Sequence, residues 1–343
     1  MEAASVPGGG RSVLGRSPLA RLPDRVLRYA LTALAGAILA LIVYFFVRLV
    51  GQASPAFERF GVFNFTFGSE WNVNAEHFGA LPLLVGTLIT AGLALIIGVP
   101  VAVAAAIYAT ELCPARLRAP LTLLVELLAA VPSVVYGLWG IFFLAPKLQP
   151  AEQWVAGKLS FVPFVGGGLV TIPNYFITGL VLAIMILPIV SAISREVMAT
   201  VPADHKEAAL GLGATRWEMI RTAVLPFSRA GIVGGAMLGL GRAIGETIAV
   251  TILIGNAPKL SSHLFEQGYS LAAVIANEFG EAQGLHRNAL FAAGLVLFVL
   301  TLLVNGFARG LVLRAARGRV APGTSDGSGG DAGARLAETV AGA

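Results

Sequence analysis

Six stretches of the chain, near residues 31–50, 80–110, 119–145, 169–193, 230–255 and 288–313, are apolar for long enough to cross the bilayer's hydrocarbon as helices. No other feature limits the fold so tightly, because backbone amides in lipid must find their partners inside each segment. With 56% of its 343 residues hydrophobic and only 13% charged, the chain cannot have water as its solvent over most of its length. The sequence predicts an all-α integral membrane protein with six transmembrane helices over residues 29–313. Pro100 and Pro188 fall inside the second and fourth runs, where each removes a backbone hydrogen bond and permits a bend.

The first run is long, follows more than 25 residues and ends in VRLVGQ, so it reads as a retained span and not as a cleaved signal sequence. Residues 1–28 and 314–343 are rich in Gly, Ser and Ala and poor in core-forming side chains, which predicts flexible tails. Most of the 24 Lys and Arg fall before the first run, in the second and fourth connections and after the last run. The opposite connections hold only Arg48, Arg59, Lys147, Lys158, Lys259 and Arg287. A cytoplasmic excess of cations therefore puts both termini in the cytoplasm, and it accounts for the net charge of +5 without any nucleic-acid partner. Cys113 is the single cysteine, and His77, His205, His263 and His286 are scattered, so neither a disulfide nor a metal site is expected.

The connection over 195–228 is too long and too patterned for a passive link. Pro202 and Asp204 open a first short helix, which Gly211 and Gly213 end. Thr215 and Glu218 then have the spacing of a capping box for a second helix, and Pro226 closes that helix or begins the next span. Such a pair on the cytoplasmic face is either a docking knob for a soluble partner or an amphipathic pair resting on lipid headgroups.

Charge inside the spans is rarer and more telling. In GRAIGETIAV, residues 241–250, Arg242 and Glu246 stand four residues apart on one face of an expected helix, with Arg242 about halfway along it. A guanidinium at such depth does not face lipid. It either pairs with Glu246 alone or forms an anion station, its planar fork matched to a tetrahedral oxyanion and oriented by Glu246. In the second case Glu246 accepts a hydrogen bond from a protonated oxygen, which phosphate carries near neutral pH and sulfate does not. Gly231, Gly235 and Gly239, with Gly241 and Gly245 on another face, predict close helix approach and a central fifth span. Glu126 is another carboxyl within a span; it faces the pore or a partner helix, or reaches Arg116 or Arg118. Pro132, Ser133, Tyr136 and Gly137 follow it, a set that kinks a helix and exposes hydroxyls to a path; ordinary packing or interface anchoring is the other role open to Tyr136 and Trp139.

The segment EAALGLGATRWEMIRTAVLP resembles the EAA loop of ATP-binding-cassette importer permeases. Glu207, Ala208, Ala209, Gly213, Leu225 and Pro226 match its pattern, and Ala223 stands where isoleucine is usual. The stretches SEWNVNAEHFGALPLLVGTLITAG, VPSVVYGLWG and GLGRAIGETIAVTILIGN are similar to the C-type permeases of phosphate importers, the likeness running over about 63–313; Val73 replaces the usual proline. The resemblance implies the six-helix type I importer fold in a bacterial inner membrane. It also implies a non-catalytic role as half of a pore that imports inorganic phosphate by alternating access. Residues 207–213 would transmit ATPase closure, and Arg242, Glu246, Glu126, Ser133 and Tyr136 are the candidate substrate-binding residues. The chain has no P-loop of its own, so ATP and Mg belong to a partner ATPase pair. The other implied partners are a sister permease of the A type, an extracytoplasmic phosphate-binding protein and membrane lipid. Sulfate, molybdate or tungstate are alternative cargoes; a stand-alone secondary transporter and a membrane sensor or scaffold are alternatives of other classes.

Overall fold

The computed structural model describes residues 22–317, apart from 163, 167, 168 and 262. Most of both expected tails lies outside the described residues, although the first helix already begins at Leu22, ahead of the boundary expected at residue 28. The chain divides into two compact units, residues 1–52 and 53–343. The first is described only through helix α1 (Leu22–Phe60), which runs on into the second. Leu31, Leu39 and Val47 of α1 are all more than half exposed, as suits side chains whose solvent is lipid.

The second unit is helical apart from a two-residue hairpin, β1 (Trp71–Asn72) against β2 (His77–Phe78), that follows α2 (Val62–Phe67). The long helices are α3 (Leu81–Ile107), α7 (Tyr175–Ala199), α10 (Leu225–Gly245) and α13 (Gly284–Arg317). Among the described residues five helices are long and apolar enough to span, and a bent pair makes a sixth. Pro100 and Pro188 sit inside α3 and α7 without ending either helix.

Two spans are interrupted, the third beside Pro132, where a kink is expected, and the fifth where an unbroken helix is expected. The third is α4 (Ala115–Ala130) followed by α5 (Ser133–Trp139) and α6 (Ala145–Lys158), with a bend of 92° at the intervening Val131 and Pro132. Proline cannot supply the next amide, and Val131 turns to an extended conformation before it, as residues preceding proline do. The fifth stops at Gly245: Glu246 is extended, and a separate α11 (Ile248–Leu253) follows. Wide π turns at Tyr108–Leu112, Gly140–Leu144 and Ile220–Val224 continue α3, join α5 to α6, and lead from α9 (Arg216–Met219) into α10.

The core is an α3, α7 and α10 sandwich in which α7 is central. Its most apolar window is 61% buried against 28% for α10, so the fourth span, not the fifth, takes the middle of the bundle. The reason lies in the residues themselves: Ile177, Val181, Leu182, Ile186 and Val190 give α7 apolar bulk, while α10 offers small residues for it to pack into. A Cβ added at Gly231 would lie 2.4 Å from Val197 Cγ2, and one at Gly239 would lie 2.9 Å from Val190 Cγ2. The first glycine row thus does allow close helix approach. The second does not, since Gly241 and Gly245 have nothing within 4 Å of an added Cβ. Gly231→Ala should therefore destabilise the detergent-solubilised protein by about 1–3 kcal/mol through overpacking, read as a lower unfolding midpoint, whereas Gly241→Ala should not overpack.

The hairpin ahead of α3 is pinned to the start of α13. The Trp71 indole N–H donates to Glu278 Oε2 at 3.1 Å, His286 Nε2 meets the same oxygen at 2.8 Å, and Phe78 stacks on the His286 ring at 5.5 Å. Glu278 ends α12 (Leu271–Glu278), so hairpin, α12 and α13 share one polar knot.

Candidate functional site

The two helix breaks are neighbours. Helix α5 packs on α11 with almost no gap: a Cβ on Gly137 would come 2.8 Å from Ile252 Cδ1 and 3.3 Å from Ala249 Cα. Gly137 belongs to this close approach, which sequence alone could not distinguish from a simple kink. The break in the third span is held by Tyr136, whose hydroxyl donates to the Leu128 carbonyl at 2.8 Å. That carbonyl, in the last turn of α4, otherwise accepts only a long 3.4 Å bond from the Val131 amide. The Tyr136 hydroxyl, expected on the path, is therefore already engaged, and the residue is buried. Ser133 starts α5, half-buried, and its hydroxyl makes no hydrogen bond among the described residues.

Arg242 occupies the last turn of α10 and is exposed. Among the described residues it has no hydrogen bond or ion pair, and its charge acts on nearby Tyr136. A cation suits that position, because the last carbonyls of a helix carry negative partial charge. Glu246 does not share its helical face, contrary to expectation: α10 ends between the two, and no ion pair joins them. The Glu246 carboxylate instead accepts a long, 3.5 Å hydrogen bond from the Ala249 amide at the start of α11. The self-neutralised intrahelical pair is thereby excluded in this structure. The sequence concealed the break because Gly245-Glu246-Thr247 contains no proline, and an isolated glycine is a weak stop signal.

Glu126 on α4 reaches neither Arg116 nor Arg118. Its carboxylate is 58% exposed and meets Arg195 Nη2 of α7 at 3.5 Å, while Arg118 donates to the Thr110 carbonyl. Arg195 looked like one more loop cation in the sequence; lying within α7, it also donates to Thr122 Oγ1 at 2.7 Å. A cation only two residues beyond the apolar run, close enough for the helix to continue through it, is the signal that could have marked it.

The patterned connection folds as its residues direct. Helix α8 (Ala203–Gly211) carries Asp204 in its first turn, Leu212 follows it, and Gly213 has φ +88°, a left-handed conformation that glycine adopts without strain. Thr215 caps α9, and its backbone N–H donates to Glu218 Oε2 at 2.7 Å while the Glu218 N–H donates to Thr215 Oγ1 at 3.3 Å. Leu225 and Pro226 then start α10, where the proline lacks an amide that would be unbonded anyway. Lys206 Nζ and Glu111 Oε1 lie 2.6 Å apart, tying α8 to the π turn below α3. Beneath the loop, Ala106, Ile107, Met198, Val201, Met219, Ile220 and Val224 form a small buried cluster of its own.

Outward, the loop shows apolar surface. Helix α8 buries no residue, Leu212 is 90% exposed and Trp217 is 59% exposed. Glu207 and Ala208 are exposed and Ala209 half-buried, so of the matched triplet Ala209 alone turns toward the bundle. His205, Ala208, Ala209, Leu212 and Phe227 line an open groove beside the helix.

The chain is similar to known proteins over most of its length. A family model for the inner membrane component of binding-protein-dependent transport systems matches residues 98–317. The phosphate transport system permease protein PstC of Pasteurella multocida is 46% identical over 78% of this chain and 84% of its own length. The same-named protein of Mesorhizobium japonicum is 44% identical over 85% and 91%. A bacterial ABC transporter that imports the polysaccharide alginate has a chain similar in fold, at a TM-score of 0.57 and 20% identity, covering 86% of this chain and 99% of that one. The same transporter with its periplasmic protein gives 0.59 at 22% identity, covering 86% and 98%. The broken spans, the capped loop helices and the matched residues have one explanation: this multi-pass chain belongs to the family of binding-protein-dependent transport system inner membrane components.

Proposed function

We propose that the chain is the non-catalytic permease subunit of an ATP-driven importer of inorganic phosphate, forming half of an alternating-access pore with both termini in the cytoplasm. The likeness to phosphate transport permeases over most of both chains carries the cargo reading. The geometry supports it: an exposed, unpaired Arg242 stands where two broken spans meet, and broken helices are where transporters expose unbonded backbone groups to substrate. In this reading a sister permease supplies the other half of the pore and a phosphate-binding protein delivers the anion. A pair of ATPase chains, holding ATP and Mg, closes against the α8 knob. Ser133, Arg242 and Glu246 border the path, Tyr136 holds its wall, and Glu126 acts with Arg195 nearer the ATPase side.

The test is uptake by the complete complex reconstituted in proteoliposomes with its binding protein. Labelled phosphate should enter in an ATP-dependent way, and excess sulfate, molybdate or tungstate should leave the rate within about twofold. Competition by any of these at parity with unlabelled phosphate overturns the cargo. Uptake without ATPase or binding protein overturns the class.

A further inference from the structure

We propose that Arg195 is a second oxyanion station on the translocation path, nearer the α8 side than Arg242, with Glu126 as a loose counter-ion that a passing anion displaces. The inference rests on the importer reading above and adds to it a residue and a place.

The first support is that the guanidinium is incompletely satisfied. Its side chain is only 15% exposed, yet the Nε atom is buried with no hydrogen-bond partner. Nη1 donates to Thr122 at 2.7 Å, but the 3.5 Å separation from Glu126 is beyond the range of a good charge-assisted bond. The Glu126 carboxylate, more than half exposed, is held by nothing else among the described residues. A tie built only to hold helices would close this pair.

The second is room. A cavity of about 90 Å³ is lined by Arg195, Ser191, Thr122, Tyr108 and Leu121, with space for several waters or one small anion. Its walls are largely apolar, Ala105, Ala109 and Val125 completing them, and of the residues that border it Ser191 and Thr122 carry hydroxyls beside the guanidinium.

The third is alignment. Gly231 of α10 lies opposite Val197 of α7, Gly235 opposite Ile193 and Gly239 opposite Val190, so the helices run antiparallel with Arg195 level with about residue 233. Arg242 is then about 14 Å farther along the bundle at 1.5 Å per residue. Arg195 meets Thr122 and Glu126 of α4 and Arg242 is near Tyr136 of α5, so the two arginines stand against the two arms of the bent third span. Glu126 is more than half exposed, so its side of α4 is not covered by the described residues of the chain, whereas the Arg195 side chain is largely enclosed. Charge on such a face belongs against water or protein, not lipid. Two weak sites in series let an anion leave as readily as it enters.

A lipid headgroup offers the same phosphate chemistry at this depth, so the experiment separates a free anion from a lipid. The complete complex is reconstituted with Arg195→Gln, Glu126→Gln and the double substitution, each checked for co-purification of all subunits. ATP-driven phosphate uptake is measured with and without phosphate preloaded inside the vesicles. Arg195→Gln should slow uptake about tenfold, the loss of a charge-assisted contact, and should raise the internal phosphate needed for half-inhibition by a similar factor. The double substitution should stay as slow as Arg195→Gln.

Recovery of the parent rate in the double variant overturns the proposal, because it means the pair only cancels charge. Slowed uptake with unaltered inhibition by internal phosphate also overturns it, since the guanidinium then serves the helices or a headgroup. If the parent complex carries sulfate and not phosphate, the cargo reading falls by itself, and the same variants are read with sulfate.

Discussion

Replacing Arg242 by lysine should lower phosphate uptake by the complete complex by about 10- to 100-fold, although charge is conserved. A guanidinium offers a planar fork to two oxygens at once, while an ammonium is a strongly hydrated point charge, so a bidentate contact worth about 1.5–3 kcal/mol is lost. Arg242 is exposed and unpaired among the described residues, so little in the fold depends on it, and the variant should assemble normally. ATP hydrolysis stimulated by the binding protein should persist in the variant, because the coupling surface is untouched. Parent-rate transport by a normally assembled Arg242→Lys complex would remove the guanidinium from the path.

On the importer reading proposed above, Leu212→Glu should separate the chain from the ATPase pair. A leucine 90% exposed at the tip of a rigidly mounted helix pair has the character of an anchor awaiting a pocket. Burying a carboxylate there without a partner is strongly unfavourable, and truncation of interface anchors commonly costs about 2–4 kcal/mol, or about 30- to 1,000-fold in affinity. The measurement is retention of the ATPase when the membrane complex is purified. Because Leu212 makes so little contact within the chain, the thermal stability of the permease itself should stay unchanged. If the ATPase stays bound as tightly as in the parent, the exposed tip is not its seat and the lipid-facing reading of the loop regains ground.

The loop was the most legible part of the sequence. Its caps are local chemistry: Thr215 and Glu218 satisfy each other's backbone amides, and Gly213 takes the one conformation its neighbours avoid. Long apolar runs were equally plain, since span length and lipid leave few alternatives. What stayed hidden depends on neighbours distant in sequence. The end of α10 before Glu246 is a tertiary outcome, and so is the choice of α7 as the centre of the bundle. Arg195 was indistinguishable from its cytoplasmic companions until α4 came alongside with Thr122 and Glu126. At the site itself, Arg242 and Ser133 stand free as anticipated candidates, whereas the Tyr136 hydroxyl turned out to serve its own backbone.

The glycine row of α10 also restricts how the pore can move. With Val197 and Val190 seated against Gly231 and Gly239, one helix cannot slide along the other without driving side chain into backbone. The two therefore move as a single blade, and the wide five-residue turns at 108–112 and 220–224 lie at its α8 end. Glu111 of the first turn is bonded to Lys206 of α8, and the second turn carries α9 into the blade. A push on the knob would therefore be handed to α7 and α10 together, and through α10 to the far end that bears Arg242.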